Sequence, residues 1–134
     1  MINLAGIDHV VLRVADLETS LRFYEDVLGA KLEKKQESIG LYQLRAGASL
    51  IDLVPVDGPL GRQGGAPPGA EGRNVDHVCF RVLPWNGEAI LAHLRLHGIE
   101  SEIVTRYGAE GDGPSIYLSD PDGNGLELKG QPTA

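Results

Sequence analysis

Apolar and polar residues alternate in two segments that nearly repeat one another. Ile7–Val14 (IDHVVLRV) aligns with Val75–Val82 (VDHVCFRV), and Asp, His, Val, Arg and Val recur at the same places. Alternation with period two, rich in β-branched residues, is typical of a strand that is buried on one face. A self-similar pair of this kind predicts a duplicated module, which makes the repeat the organising feature of the chain.

A helical pattern follows each repeated strand, and three strand-like stretches follow each helix. The first helix is predicted to begin after the N-cap Asp16 and to end at Gly29; the second begins after Asn86 and ends at Gly98. The predicted strands are Lys31–Lys35, Gly40–Leu44, Ser49–Val54, Glu100–Thr105, Ser115–Leu118 and Leu126–Lys129. The pattern predicts an α+β fold of two βαβββ modules, residues 5–56 and 75–130.

Two segments rich in glycine interrupt this pattern. Residues 57–74 are dense in Gly and Pro, a composition that favours a linker without a packed element of its own. Arg106–Pro114 carries three more glycines and is predicted to be a second loop. A loop this long either joins two units or covers a site, and a plain surface connection is the alternative for both.

Four polar positions are equivalent under the repeat. Because side chains alternate along a strand, His9 and His77 lie opposite the apolar faces of their strands. Asp52 and Glu127 lie opposite the apolar faces of the last strand in each module. Two imidazoles and one or two carboxylates suit Zn, Ni, Co, Mn or Fe(II), so the sequence predicts one metal ion held by His9, His77 and Glu127, with the shorter Asp52 as a conditional fourth ligand.

A structural role is the alternative for these histidines. Each could simply begin a strand and pair with the preceding Asp8 or Asp76, and a single Asp-His pair would favour that interpretation. The recurrence of the pair, with a carboxylate on the matching strand of each module, favours the metal site. His93 and His97 lie four apart on the second helix, but no glutamate follows His93, so they are predicted to be solvated.

Composition limits the partners. The formal net charge of −7 argues against nucleic acid and fits a protein that acts on small molecules. No apolar run reaches the roughly 20 residues that span a bilayer, and the N-terminus does not resemble a signal peptide. Cys79 is the only cysteine, which favours a reducing cytoplasm. Two modules this small are each expected to be incomplete alone, which suggests a homodimer.

Several motifs together resemble the vicinal oxygen chelate superfamily, which includes glyoxalase I, extradiol dioxygenases, fosfomycin-resistance thiol transferases and bleomycin-binding proteins. They are IDHV at Ile7, LRFYEDVLG at Leu21, VDHV at Val75 and YLSDPDGNGLE at Tyr117. The last motif forms a tight turn before Glu127. The resemblance implies curved mixed sheets that form half-barrels in a pseudo-twofold repeat, with helices on the convex side. It also implies ligand roles for the positions of His9, His77 and Glu127.

The resemblance implies Lewis-acid chemistry on a small oxygen-bearing substrate. The leading expectation is a lyase or isomerase like lactoylglutathione lyase, with glutathione as a candidate co-substrate and Glu127 or Asp52 moving a proton. The alternatives are an extradiol dioxygenase, a fosfomycin-type thiol transferase, and a binding or resistance protein of the bleomycin-binding type, with or without a metal. The dioxygenase is disfavoured because no histidine lies at Gly108–Glu110, upstream of the Tyr117 motif.

Four further residues are candidates for substrate binding. Tyr117 precedes the Asp-Pro turn, and its hydroxyl could donate a hydrogen bond, although packing is an equally good explanation. Arg13 and Arg81 share the strand faces of the two histidines, and Arg106 begins the second glycine-rich loop. Each arginine could instead pair with an acidic residue at the surface.

Overall fold

A computed structural model of the chain describes residues 1–132, which divide into two compact units between Asn74 and Val75. The first unit contains β1 (His9–Val14), α1 (Leu17–Arg22), β2 (Lys31–Gln36), β3 (Leu41–Ala46) and β4 (Ser49–Pro55). The second contains β5 (His77–Arg81), α2 (Gly87–Leu96), β6 (Ile103–Gly108), β7 (Gly111–Ser119) and β8 (Gly125–Lys129). The predicted α+β fold of two βαβββ modules is confirmed.

Each unit has one mixed sheet with the same strand order. In the first unit the order is β1-β4-β3-β2, and β1 runs parallel to β4 while the other neighbours are antiparallel. In the second unit β5-β8-β7-β6 repeats that arrangement. The parallel pair joins the first and last strands of each module, so the strand that carries the histidine lies beside the strand that carries the carboxylate.

The apolar faces of the strands form the core of each unit, as the alternation predicts. In the first unit Leu12 and Leu53 oppose one another across the β1–β4 pair and are 2% and 0% exposed. In the second unit Leu126 and Ile116 are fully buried. Burial of each of these side chains stabilises the folded state by roughly 1.5–3 kcal/mol. The opposite face of each sheet is left to polar side chains.

The helices begin at the predicted caps. The side chain of Asp16 accepts a hydrogen bond from the Thr19 amide, and that of Asn86 accepts one from the Ala89 amide, which satisfies a free N–H at each N-terminus. After α1 the chain continues through a π-helical turn, Phe23–Val27, which buries Tyr24. No helix within residues 1–132 is long and apolar enough to cross a bilayer.

The two glycine-rich segments contain more structure than composition predicts. Residues 57–74 belong to the first unit and include a short 3-10 helix, Gly61–Gly64. Arg13 reaches across from β1 and donates hydrogen bonds to backbone carbonyls of this segment. The role of the segment as a linker stays a prediction.

The predicted loop Arg106–Pro114 was wrong. These residues continue β6 and begin β7, and the hairpin turns at Ala109 and Glu110. The backbone pairing of β6 with β7 is continuous from Ile103, opposite Ile116, to Gly108, opposite Gly111, so the glycines lie within paired strands. Gly113 has a structural reason to lack a side chain, because a Cβ there would lie 3.0 Å from the carbonyl oxygen of Gly130.

Candidate functional site

The histidine and the carboxylate of the second unit form a close pair. His77 lies on β5 and Glu127 on the neighbouring β8, where Cys79 is the direct partner of Glu127 in the register. The Nε2 atom of His77 lies 3.4 Å from Oε1 of Glu127. Glu127 is 5% exposed, whereas His77 remains open to solvent. The sequence predicts these two residues as ligands of one metal ion, and the structure places them on neighbouring strands of one module.

The first unit holds an equivalent but looser pair. His9 lies on β1 and Asp52 on β4, with Val11 as the direct partner of Asp52. The Nε2 atom of His9 lies 4.0 Å from Oδ2 of Asp52, and Asp52 is only 2% exposed. The wider gap agrees with the side chain that is one methylene shorter than that of glutamate.

Both histidines are oriented by the aspartate that precedes them. The Nδ1 atom of His9 lies 2.7 Å from Oδ2 of Asp8, and Nδ1 of His77 lies 2.7 Å from Oδ2 of Asp76. A neutral imidazole that donates through Nδ1 presents the lone pair of Nε2, which is the arrangement typical of metal-bound histidines. The hydrogen bond to Asp8 raises the pKa of His9 and, with the negative charge of Asp52, outweighs the opposing effect of burial.

Glu127 is surrounded by groups that stabilise its charge. Ser115 on β7 donates a 2.6 Å hydrogen bond to Oε2. Burial alone would raise the pKa of Glu127, but hydrogen bonds from Ser115 and Tyr117, with the charges of His77 and Lys129, outweigh it and lower the pKa. Glu127 is therefore ionised at neutral pH.

Asp52 is in the opposite electrostatic situation. Gln43 donates a 3.2 Å hydrogen bond to Oδ2 and is itself held by a 2.9 Å hydrogen bond from Gln36. The second oxygen, Oδ1, is buried without a hydrogen-bond partner among the described residues. Burial raises the pKa of Asp52 more than Gln43 and His9 lower it. A buried acceptor without a donor is uncommon, and it fits a position that a cation or a proton occupies.

Sequence reasoning missed Ser115 and Gln43. The register places Gln43 opposite Asp52 and Tyr117 opposite Glu127, and Ser115 lies two residues before Tyr117 on the same face. Period-two alternation on the third strand of each module was a usable signal, because it assigns these side chains to the face of the carboxylates. The strand pairing that brings them to those carboxylates could not be derived from alternation alone.

Arg13 is engaged by the glycine-rich segment. Its guanidinium donates hydrogen bonds to the carbonyls of Gly61, Gly65 and Ala66, at distances between 2.6 and 3.1 Å. A Cβ at Gly64 would lie 2.3 Å from Nε of Arg13, so that glycine leaves room for the guanidinium. Arg13 therefore holds the segment against β1, and its contact with a substrate stays a prediction.

Arg81 occupies the equivalent place on β5 and is also paired. Its Nε lies 2.8 Å from Oε1 of Glu110, at the tip of the β6–β7 hairpin. Both partners are about half exposed, so this pair contributes at most about 1 kcal/mol. Like Arg13, Arg81 holds a connecting segment against the strand that bears the histidine.

Arg106 and Tyr117 lie together beside the second pair. The guanidinium carbon of Arg106 is 5.7 Å from the centroid of the Tyr117 ring, within the range of a cation–π contact. The Tyr117 ring packs edge-on against His77 at 6.1 Å between centroids. Burial and the hydrogen bond to Glu127 raise the pKa of Tyr117, so its hydroxyl remains protonated and can donate.

Two further side chains share this face of the second sheet. Although Cys79 is exposed, partial desolvation of its thiol and the charge of Glu127 raise the pKa of Cys79 to about 11, which disfavours a thiolate at neutral pH. The amine of Lys129 is buried and donates hydrogen bonds to the carbonyls of Arg106 and Gly113. Lys129 thus joins the end of β8 to the β6–β7 hairpin.

The tight turn before β8 is organised by Asp120. Its Oδ1 accepts hydrogen bonds from the amides of Asp122 and Asn124, both at 2.9 Å, and its Oδ2 accepts one from the Asn124 side chain. Gly125 follows, and a Cβ there would lie 2.6 Å from the carbonyl oxygen of Asp76. The turn therefore sets the close approach of β8 to β5, and with it the position of Glu127 relative to His77.

The donors are grouped in pairs. Within residues 1–132 no set of three or more His, Cys, Asp or Glu side chains is close enough to hold a metal ion together. The structure brings His9 to Asp52 and His77 to Glu127, each pair within its own unit. Each pair by itself offers an imidazole nitrogen and a carboxylate oxygen, a donor set suited to a divalent transition metal.

Comparison with known proteins agrees with this architecture. The sequence model of the Glyoxalase/Bleomycin resistance protein/Dioxygenase superfamily matches residues 6–128. The virulence protein STM3117 of Salmonella typhimurium is 35% identical over 127 residues, covering 91% of this chain and 81% of that protein. Its crystal structure has a TM-score of 0.81 at 30% identity, covering 98% of this chain and all of that one (100%).

Other relatives carry names of different activities. The metallothiol transferase FosB of Bacillus licheniformis is 31% identical over 127 residues, covering 94% of this chain and 75% of the transferase. A catechol-2,3-dioxygenase of Bacillus subtilis is 31% identical over 122 residues, covering 91% of this chain but 40% of the dioxygenase. The duplicated βαβββ modules and the match over residues 6–128 together mean that the chain belongs to the Glyoxalase/Bleomycin resistance protein/Dioxygenase superfamily.

Proposed function

We propose that the protein is a divalent-metal-dependent enzyme of the glyoxalase type, which isomerises or cleaves a small oxygen-bearing substrate in the manner of lactoylglutathione lyase. His9, His77 and Glu127 are the proposed metal ligands, and Asp52 is the conditional fourth. Zn, Ni, Co, Mn or Fe(II) would suit these donors. Glutathione is the candidate co-substrate.

The orientation of the donors supports the ligand assignment. Each histidine uses Nδ1 for its aspartate, so Nε2 is free to bind a metal. Glu127 is ionised, and one of its oxygens lies on the same side as Nε2 of His77. When bound, a divalent ion would supply Lewis-acid polarisation of a substrate oxygen.

The observation that carries the reaction class is the contrast between the two carboxylates. Burial raises the pKa of Asp52, and Oδ1 of Asp52 has no hydrogen-bond partner among residues 1–132. The pKa of Glu127 is lowered. An isomerase of this kind needs one carboxylate that stays charged and another that accepts and returns a proton. Different environments that move the pKa values of two carboxylates apart indicate which one has which role. Asp52 is therefore the proposed proton shuttle.

Two residues of the second unit are proposed to orient the substrate. The Tyr117 hydroxyl is protonated and points to Glu127, so it can donate to a substrate oxygen near that carboxylate. Arg106 lies over the Tyr117 ring and could pair with an anionic group of the substrate.

Thiol transfer is the second candidate. It is favoured by 31% identity to the metallothiol transferase FosB and by the cation that Arg106 places beside Tyr117. A transferase of this kind adds a thiol and has no need for a carboxylate that shuttles a proton at carbon, so removal of Asp52 separates the two candidates. A binding or resistance protein without turnover is the remaining alternative.

Metal analysis of the purified protein is the first test. We expect one divalent ion for each complete set of ligands, and the absence of metal affinity would refute the proposal. The metal-loaded protein is then assayed for turnover of methylglyoxal with glutathione, for consumption of fosfomycin with a thiol, and for consumption of oxygen with catechol. Turnover in the first assay that Asp52→Asn abolishes, while His9, His77 and Glu127 still bind metal, is the expected result.

Mixing two inactive variants tests whether each site needs two chains. His9→Ala and His77→Ala each remove one proposed ligand. If a site takes ligands from both chains of a homodimer, random mixing restores about a quarter of the sites. If one chain supplies all the ligands, mixing restores none.

A further inference from the structure

The hydroxyl of Ser115 is hydrogen-bonded to the carboxylate of the proposed metal ligand Glu127. Ser115 is completely buried, and its Oγ is 2.6 Å from Oε2 of Glu127. The other oxygen, Oε1, is the one that lies 3.4 Å from Nε2 of His77. One oxygen of the carboxylate is therefore held inside the sheet, and the other is directed toward the histidine.

We propose that Ser115 is a positioning residue that makes Glu127 a one-oxygen metal ligand of fixed orientation. This inference rests on the proposed metal site. A short hydrogen bond from a hydroxyl to a carboxylate is among the stronger ones in proteins, and in a buried place water does not compete for it. The hydrogen bond from Ser115 restricts rotation of the carboxylate. It also engages Oε2, so Oε1 is the oxygen left to bind a metal.

The first unit provides an internal comparison. Gln43 opposes Asp52 as Tyr117 opposes Glu127, so the position equivalent to Ser115 is two residues before Gln43, where Leu41 stands. The module therefore accommodates an apolar residue at this position, and the strand order does not require a hydroxyl there. The carboxylate without a matching serine, Asp52, has an oxygen that lacks a hydrogen-bond partner within residues 1–132.

The inference predicts an effect on the metal that can be measured without turnover. Loss of a hydrogen-bond partner behind a metal ligand typically lowers metal affinity by about 10–100-fold. Ser115→Ala should do so when metal-stripped protein is titrated with Mn²⁺ or Ni²⁺ by calorimetry. Ser115→Cys is the second variant, because its volume is close to that of serine while its thiol is a weak donor, and a loss of the same direction is expected.

A matched control separates positioning from general destabilisation. Ser49 also uses its hydroxyl for a hydrogen bond, at 3.1 Å, but its acceptor is the backbone carbonyl of Ile7 and not a carboxylate. Ser49→Ala should leave metal affinity unchanged. In the Glu127→Gln background, Ser115→Ala should cause no further loss, because the two residues act on the metal through one carboxylate.

The outcomes are distinguishable. If the unaltered protein binds neither ion, the proposed metal site fails and this inference fails with it. If the unaltered protein binds metal and Ser115→Ala and Ser115→Cys bind it equally well, only the role of Ser115 is overturned. An equal loss in the presence and absence of the Glu127 carboxylate would also overturn it, since Ser115 would then act through the stability of the sheet.

Discussion

Replacement of Asp52 by asparagine should make the metal-free protein more stable. Asp52 is 2% exposed and has one oxygen, Oδ1, without a donor among the described residues. Leaving a buried polar group unsatisfied costs roughly 1–3 kcal/mol, and more when the group is charged. Asparagine retains the shape and can still accept the hydrogen bond from Gln43, but it carries no charge.

The expected gain in stability from Asp52→Asn is smaller than the full cost of burying an unsatisfied charged oxygen. In the Asp52→Asn variant, the side-chain amide would place an N–H where Oδ1 now lies, so part of the desolvation cost remains. We therefore expect about 1 kcal/mol in the free energy of unfolding at pH 8, which corresponds to about 4 °C in Tm for a chain of this size.

The stability gained by Asp52→Asn should depend on pH. Because burial raises the pKa of Asp52, the folded state favours the protonated acid, and the cost of the charge grows as the pH rises from the ordinary pKa of aspartate through that raised pKa. Thermal unfolding followed by circular dichroism from pH 8 down to pH 4.5 should show the advantage of Asp52→Asn shrinking as the pH falls. The exposed Asp57→Asn is the control and should change stability by less than about 0.5 kcal/mol throughout. An advantage that is absent at pH 8, or equal at both ends of the range, would refute the reasoning.

Two glycines give further tests. A Cβ at Gly61 would lie 1.8 Å from the carbonyl oxygen of Pro55. Gly61→Ala should therefore lower the free energy of unfolding in urea by about 2–3 kcal/mol. Gly69→Ala is the control and should be nearly neutral, because a Cβ at Gly69 would have no atom within 4 Å. A Cβ at Gly125 would lie 3.0 Å from Cβ of His77, so Gly125→Ala should separate His77 from β8 and weaken Mn²⁺ or Ni²⁺ binding about tenfold or more by calorimetry; unchanged affinity would contradict this.

The sequence predicted the repeated strands and the strand faces that bear the two histidines and the two carboxylates. Both follow from period-two alternation, which assigns side chains to a face without knowledge of the register. Helix caps at Asp16 and Asn86 were predictable for a similar reason, because a cap is a local hydrogen bond between residues close in sequence.

Contacts between residues distant in sequence were the part that could not be predicted. Glycine-rich composition suggested loops at 57–74 and 106–114, yet the guanidinium of Arg13 anchors the first and strand pairing continues through the second. The first outcome depends on a partner far along the chain and the second on the pairing of β6 with β7, and glycine content specifies neither. Ser115 was missed for the same reason, since its hydrogen bond to Glu127 depends on the register of β7 with β8.

The two modules give their carboxylates different environments within the same strand order. Both place a histidine beside a carboxylate on the neighbouring parallel strand. The third strand then sets the character of that carboxylate, because Ser115 and Tyr117 lower the pKa of Glu127, while Gln43 alone leaves burial to raise the pKa of Asp52. Two identical modules would give two carboxylates of equal basicity, and neither would be suited to shuttle a proton while the other stayed charged. On this reasoning the divergence of the third strands, and not the duplication itself, is what would turn a symmetric donor set into a site for acid–base chemistry.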